Sequence, residues 1–149
     1  MKLRPANLEP YLAHRTDVQR ALGWLLCAHR HPILFDVGAC EGEDSIRYSR
    51  LFPRSRILSF EPLSSNQAQV RANFSKYQVT NAELIPLALA DRRGPAKFHV
   101  SAGEPAEKFA GEEWNYGNKS SSLLAPADPA PMHGWITFPE TAIVECDTL

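Results

Sequence analysis

Apolar residues in this chain fall into short blocks whose spacing changes along its length. Val18, Ala21, Leu22, Leu25 and Leu26 recur at the three- and four-residue spacing of one helical face. Thr16-Asp17-Val18-Gln19 in front of them reads as a capping box, and His31-Pro32 ends the pattern. The expected element is an amphipathic helix covering a sheet. Ile33-Leu34-Phe35 and Val37 then form an apolar block broken only by Asp36. Such a block suits a strand buried on both faces, as in a parallel sheet. Gly38-Ala39-Cys40-Glu41-Gly42 follows at once, and a helix is expected from about Asp44 to Phe52, stopped by Pro53. Arg56 to Phe60 is a second short strand, ending in Glu61-Pro62. The next helix should run from about Ser64 to Tyr77. Ser64 and Gln67 would form its capping box, and Val70, Phe74 and Tyr77 its buried stripe.

Glu83 to Ala88 reads as a third strand. Its Pro86 cannot donate to a central ladder, so the strand should lie at a sheet edge. After the turn Asp91-Arg92-Arg93-Gly94-Pro95, residues Ala96 to Ser101 alternate as an antiparallel strand does. Lys97 and His99 would share one face, Phe98 and Val100 the other. Gly103 to Asn118 has little periodicity and reads as a loop whose Trp114 and Tyr116 either touch a substrate or, the favoured reading, seal it onto the sheet. Lys119 to Leu124 is a short β candidate. Pro126 to Pro139 holds four prolines and should be irregular, and Thr141 to Cys146 is a final strand. Met1 to Arg15 is polar with two prolines, an arm expected to pack late or not at all.

Strand, tight glycine loop, helix is the unit that lets a backbone approach a nucleotide-like ligand at the carboxyl end of a strand. Two details choose the ligand. The spacing is Gly-x-x-x-Gly, without the dinucleotide fingerprint Gly-x-Gly-x-x-Gly and without Gly-Lys-Ser/Thr. The loop is also acidic, with Asp36, Glu41, Glu43 and Asp44 and no basic residue before Arg47. A pyrophosphate would meet carboxylates there. S-adenosylmethionine has no phosphate. It carries a sulfonium and an ammonium, and backbone N–H groups at the helix start are candidates to hold its one carboxylate. Glu61 lies 19 residues after Gly42, at the tip of the next strand, where a ribose diol is gripped in such folds.

Composition adds bounds. At 149 residues the chain is long enough for one domain, 44% hydrophobic and 22% charged, as soluble globular proteins are. A net charge of −1 gives no reason to expect nucleic acid or an anionic membrane as partner. Cys27, Cys40 and Cys146 are odd in number and widely spaced. That pattern argues for reduced thiols in a cytoplasmic protein, against a disulfide framework, and against a metal site. No apolar run reaches signal-peptide or membrane-span length.

Asp36-Val37-Gly38-Ala39-Cys40-Glu41-Gly42, Phe60-Glu61-Pro62, Leu87-Ala88-Leu89-Ala90-Asp91 with Gly94, and Ser120-Ser121-Ser122-Leu123 together resemble the FkbM-type methyltransferases, in that family's order. The chain departs from the family at Cys40-Glu41, where Asn and an aliphatic residue are usual, which makes the site more acidic. The resemblance implies an α/β, Rossmann-like class I methyltransferase fold with strand order 3-2-1-4-5-7-6. It places the third strand at an edge, as Pro86 does independently. It implies O-methylation from S-adenosylmethionine. Cofactor contacts would come from Asp36, Gly38, Ala39, Cys40, Gly42, Glu61, Pro62, Ala88 and Leu89. Asp36 would face the methionyl ammonium, Glu61 the ribose hydroxyls, and Ala88 and Leu89 the adenine. The acceptor would be a small molecule or glycan, with sugars and lipids among the family's substrates.

In that family a segment like Val144-Glu145-Cys146-Asp147-Thr148-Leu149 leads into a fourth sheet strand. The expectation is therefore residues 1–31 as arm and covering helix. Residues 32–149 would be a methyltransferase domain that is incomplete, truncated after the third parallel strand and a β-hairpin insertion. Its first strand would have a bare edge open to self-association. No catalytic base is assigned. His99 and His133 qualify by residue type alone and read better as surface histidines, while Cys40 would serve as lining. The alternatives are a catalytically inactive cofactor- or partner-binding module of the same fold and, less favoured, a nicotinamide-dependent oxidoreductase.

Overall fold

The computed structural model describes residues 6–107, 115–126 and 134–149. Trp114 and His133 lie outside the described residues. The chain runs α1 (Glu9–Ala13), α2 (Asp17–Leu26), β1 (Ile33–Val37), α3 (Glu43–Leu51), β2 (Arg56–Phe60), α4 (Ser64–Lys76) and β3 (Ala82–Ile85). It continues with β4 (Ala88–Leu89), β5 (Gly94–Ala102), a 3₁₀ turn (Gly117–Ser120) and β6 (Thr137–Asp147). The fold is α/β. β1, β2 and β3 form a parallel sheet in that order. β4, β6 and β5 form a second sheet, with β4 parallel and β5 antiparallel to β6.

Pro86 explains how one predicted strand became two. β3 ends at Ile85, and the backbone resumes pairing at Ala88 in the other sheet. Proline offers no N–H to carry the first ladder onward. β3 does lie at the edge, but Pro86 follows its last residue, so the proline ends the strand rather than setting its place in the sheet. Pro139 was expected in irregular chain, but it lies inside β6. Two residues of β5, Val100 and Ala102, pair with Glu140 and Thr137, so β6 carries one extra residue in a bulge there. A bulge is where a strand tolerates proline.

Two clusters hold the fold. Leu63, Ala88, Phe98, Val144 and Cys146 are buried between the second sheet and the start of α4. Ala6, Leu8 and Ile46 form the other, with Leu12, Phe74, Tyr77 and Val79 packed against them. Val70 is fully buried, so the predicted stripe on α4 is present. Ser64 and Gln67 make no capping box: Leu63 is the N-cap, and the Gln67 side chain donates to the carbonyls of Glu61 and Pro62.

The N-terminal arm corrects the expectation of a loose segment. Leu8 is wholly buried. The Ala6 amide donates to Asn73 Oδ1 at 2.9 Å, and the Leu8 amide to the Tyr77 hydroxyl at 2.7 Å. Tyr11 lies under the Arg47 guanidinium, 3.7 Å from its ring centre, and donates to Asp44 Oδ1. These polar anchors explain why a sequence without an apolar block still packs. α2 departs the other way. Its Thr16–Gln19 capping box forms, but the helix buries no residue, and Trp24, Leu25 and Val18 are exposed. It therefore does not cover the sheet as expected.

The register of β1 on β2 puts Leu34 beside Ile57 and Asp36 beside Ser59, on the face toward α3. Ile33, Phe35 and Val37 point the other way and are about half exposed. Phe35 stacks on Phe60, with ring centres 5.9 Å apart. Among the described residues no strand pairs with the outer edge of β1.

Candidate functional site

The glycine loop between β1 and α3 is wound by three residues with positive φ: Gly38 (83°), Cys40 (52°) and Gly42 (81°). Glycine pays no steric cost there. At Gly42 a β-carbon would also sit 2.9 Å from the Phe74 ring, so helix packing as well as conformation demands glycine. The loop is pinned to β2. The amides of Gly38 and Ala39 both donate to the Phe60 carbonyl at 2.9 Å. The Cys40 amide donates to Glu61 Oε2 at 2.8 Å, and the Leu63 amide to Glu61 Oε1 at 2.9 Å.

Glu61 is 3% exposed. Burial pushes its carboxyl up, while the bonds from Leu63 and Cys40 oppose the shift. The Asn66 side chain also bonds it, and a carboxylate's two oxygens, with about four lone-pair directions, can accept a hydroxyl donor beside these three. Glu61 lines one of two adjoining cavities. One, of about 220 Å³, is lined by Gly38, Cys40, Glu61, Pro62, Asn118 and Lys119, among others. The other, of about 250 Å³, is mostly apolar, with Phe60, Leu87, Ala88, Leu89 and Phe98. They share Val37, Gly38, Pro62, Phe98 and Ser121. Of the nine residues expected at the site, Gly38, Cys40, Glu61, Pro62, Ala88 and Leu89 thus line one cleft.

The remaining three lie behind it. Ala39 is buried and Gly42 caps α3. Asp36 turns toward α3, where Ser45 Oγ donates to its Oδ2 at 2.5 Å and is itself 2.6 Å from Ser59 Oγ. Burial pushes the Asp36 carboxyl up to about 6, with Asp44 and Glu43 adding to the shift and Ser45 opposing it. The unfolded aspartate titrates near 3.9. Between about pH 4 and 6 the folded chain holds a proton that the unfolded chain has released. Stability from this group therefore falls as pH rises through that window and is level above it. Urea midpoints at pH 4.5 and 6.5 should drop more in the wild type than in Asp36→Asn. Equal drops would place the titration elsewhere.

The segment after residue 114 supplies what local sequence did not show. The Asn115 amide donates to Glu41 Oε1 at 3.0 Å. Cys40 Sγ contacts Asn118 Oδ1 at 3.2 Å, and Asn118 Nδ2 donates to Asn66 Oδ1 at 3.1 Å. Lys119 Nζ donates to Glu43 Oε1 and lies 3.8 Å from Cys40 Sγ. The segment is held in turn by Ser101 and Ser121, and by a backbone bridge between His99 and Ser122. The predicted β segment at Lys119–Leu124 is instead this 3₁₀ turn and bridge. The one signal in the sequence was its position just before the Ser120-Ser121-Ser122 run. Burial drives the Cys40 thiol up to about 12, which suits lining rather than nucleophilic chemistry. His99 stands in β5 opposite Thr141 and lines neither cavity.

The chain is 29% identical over 114 residues to 2-O-methyltransferase NoeI of Sinorhizobium fredii (strain NBRC 101917 / NGR234). The match covers 76% of this chain and 43% of that protein. The chain is distantly related to a methyltransferase. It spans less than half the length of that relative. No protein-family model matches the chain. Among solved structures, it resembles in part a precorrin-6y C5,15-methyltransferase from Geobacter metallireducens GS-15, with a TM-score of 0.40 and 26% identity. That overlap covers 50% of this chain and 39% of the other. An rRNA methylase from Streptococcus thermophilus overlaps with a TM-score of 0.41 and 16% identity, over 50% and 41% of the two chains. No helix among the described residues is long and apolar enough to cross a membrane.

Proposed function

We propose that this chain binds S-adenosylmethionine as the cofactor-binding part of an FkbM-type O-methyltransferase, acting on a hydroxyl of a small molecule, sugar or lipid. One observation carries the reading. Glu61 sits at the tip of β2, clamped to the glycine loop through the Cys40 amide, in the wall of a polar cavity that adjoins an apolar one. The cleft fits the group it would hold. Phe60, Leu87, Ala88, Leu89 and Phe98 offer an apolar wall for adenine, and Glu61 offers acceptors for the ribose hydroxyls. The acidic loop suits a sulfonium and an ammonium, and Asp36 lies behind it as the carboxylate nearest the end of β1. The resemblance to a 2-O-methyltransferase supports a hydroxyl acceptor.

When bound, S-adenosylmethionine supplies an activated methyl group. The residues of this chain would bind and orient it. Calorimetric titration with S-adenosylmethionine, using NAD as the control, tests the reading. Saturable binding of S-adenosylmethionine alone is expected. Binding of NAD instead, or of neither by a folded chain, overturns it. The outer edge of β1, which no strand among the described residues pairs, and the exposed Ile33, Phe35 and Val37 favour a second reading. In it the chain keeps the cofactor site but is catalytically inactive and acts through a partner, or a second copy, that extends the sheet. Methyl transfer by a chain that sediments as a monomer would exclude that one.

A further inference from the structure

The five amides of the glycine loop are already engaged within the protein. Those of Gly38 and Ala39 donate to the Phe60 carbonyl, Cys40 to Glu61, Glu41 to the Glu43 carboxylate, and Gly42 to the Ala39 carbonyl. Glu41, Glu43 and Glu61 are all buried beside them. A ligand carboxylate entering here without a cation beside it would meet engaged donors and like charges. The candidate amides at the start of α3 belong to Glu43 and Asp44, whose own side chains are carboxylates. The geometry points to a different group.

Lys119 is the only cation among the described residues lining the polar cavity. Its side chain is 26% exposed, so the ammonium is reachable from the cleft. Burial acts to lower its pKa, but the charge and hydrogen bond of Glu43, with Cys40 and Glu41 beside them, together raise it. The Glu43 carboxylate aims the ammonium, while its other Oε accepts the Glu41 amide. Toward the loop the ammonium rests 3.8 Å from the Cys40 sulfur, a weak acceptor at long range. A carboxylate oxygen would replace that contact at a gain, because an ammonium–carboxylate hydrogen bond is charge-assisted on both sides. The arrangement is long-range by construction: 76 residues separate Lys119 from Glu43.

Resting on the cofactor reading above, we propose that Lys119 receives the carboxylate at the amino-acid end of S-adenosylmethionine. It takes the place of the Cys40 contact, with Glu43 holding the ammonium in position. The site would thereby distinguish the cofactor from relatives that keep the adenosyl sulfonium but lack the carboxylate.

Calorimetric titration of the chain with S-adenosylmethionine and with decarboxylated S-adenosylmethionine tests this. The wild type should prefer the carboxylate-bearing compound by roughly tenfold or more, the scale of one charge-assisted hydrogen bond. Lys119→Met should lose that preference by weakening S-adenosylmethionine, while the decarboxylated compound, which carries only positive charges, binds no more weakly than before. Lys119→Arg should retain part of it. Circular dichroism checks that each variant is folded. If Lys119→Met does not fold, Lys119→Gln, which can still donate to Glu43 without the charge, gives the same reading. A wild type that binds both compounds equally overturns the proposal and leaves the cofactor reading standing. So does a folded Met or Gln variant that keeps the preference or weakens both compounds alike. A folded wild type that binds neither overturns both.

Discussion

Glu61→Ala should weaken S-adenosylmethionine binding by about 10² to 10⁴-fold. The range follows from two hydroxyl-to-carboxylate hydrogen bonds at about 1.5–3 kcal/mol each, with tenfold in affinity for about every 1.4 kcal/mol. The same change strips the acceptor from the amides of Cys40 and Leu63, so the loop loses its clamp to β2 as well. Glu61→Gln separates the two effects only in part. It keeps the shape but turns one oxygen into a donor, which must face either the Cys40 or the Leu63 N–H. Its affinity should therefore fall nearly as far as that of the alanine variant. Isothermal titration of folded variants makes the measurement. An unchanged affinity in either would remove Glu61 from the ribose site.

Asn73→Ala should cost about 2–6 kcal/mol of folding stability, although Asn73 lines neither cavity. Asn73 is fully buried. Its Oδ1 accepts the Ala6 amide at 2.9 Å, and its Nδ2 donates to the Glu41 carbonyl at 2.7 Å. Truncation orphans one donor in the N-terminal arm and one acceptor in the glycine loop, each about 1–3 kcal/mol. Asn73→Asp should not rescue it, because the second oxygen would face the Glu41 carbonyl without a proton. Urea midpoints measure the loss. A loss below about 0.5 kcal/mol, the range of ordinary surface changes, would show that the arm and the loop are not coupled through this side chain.

That coupling gives the arm a role in the site. Ala6 and Leu8 are buried on α3 and α4, and Tyr11 joins Arg47 and Asp44 in the first turns of α3. The arm thus braces the helix whose start forms one wall of the glycine loop. It does so through hydrogen bonds spanning 67 to 69 residues, which no local pattern announces.

The order of strand, loop and helix was legible in the sequence because it rests on short-range physics. Ile33–Val37 and Arg56–Phe60 are strands as read. Gly38 and Gly42 take the positive φ that a tight loop requires. Thr16 caps its helix, and Pro86 ends β3. Six of the nine expected site residues line one cleft, since a loop at a strand tip and the tip of its neighbour are adjacent once the strands pair in parallel. Helix coverage was not legible. A moment of apolar residues says that a face exists on α2, and says nothing of what lies opposite it. Tertiary structure alone decided that α2 leaves its stripe exposed, that the polar arm packs, and that Pro139 fits a bulge. It alone brought Asn118 and Lys119 onto a loop whose own residues are acidic. Charges more than 70 positions apart are paired by the fold, through the return of β6 along β5 and the anchoring of the 3₁₀ turn on Ser101. Periodicity reports which residues want burial or a turn. Only the packed chain reports which distant groups then share a cavity.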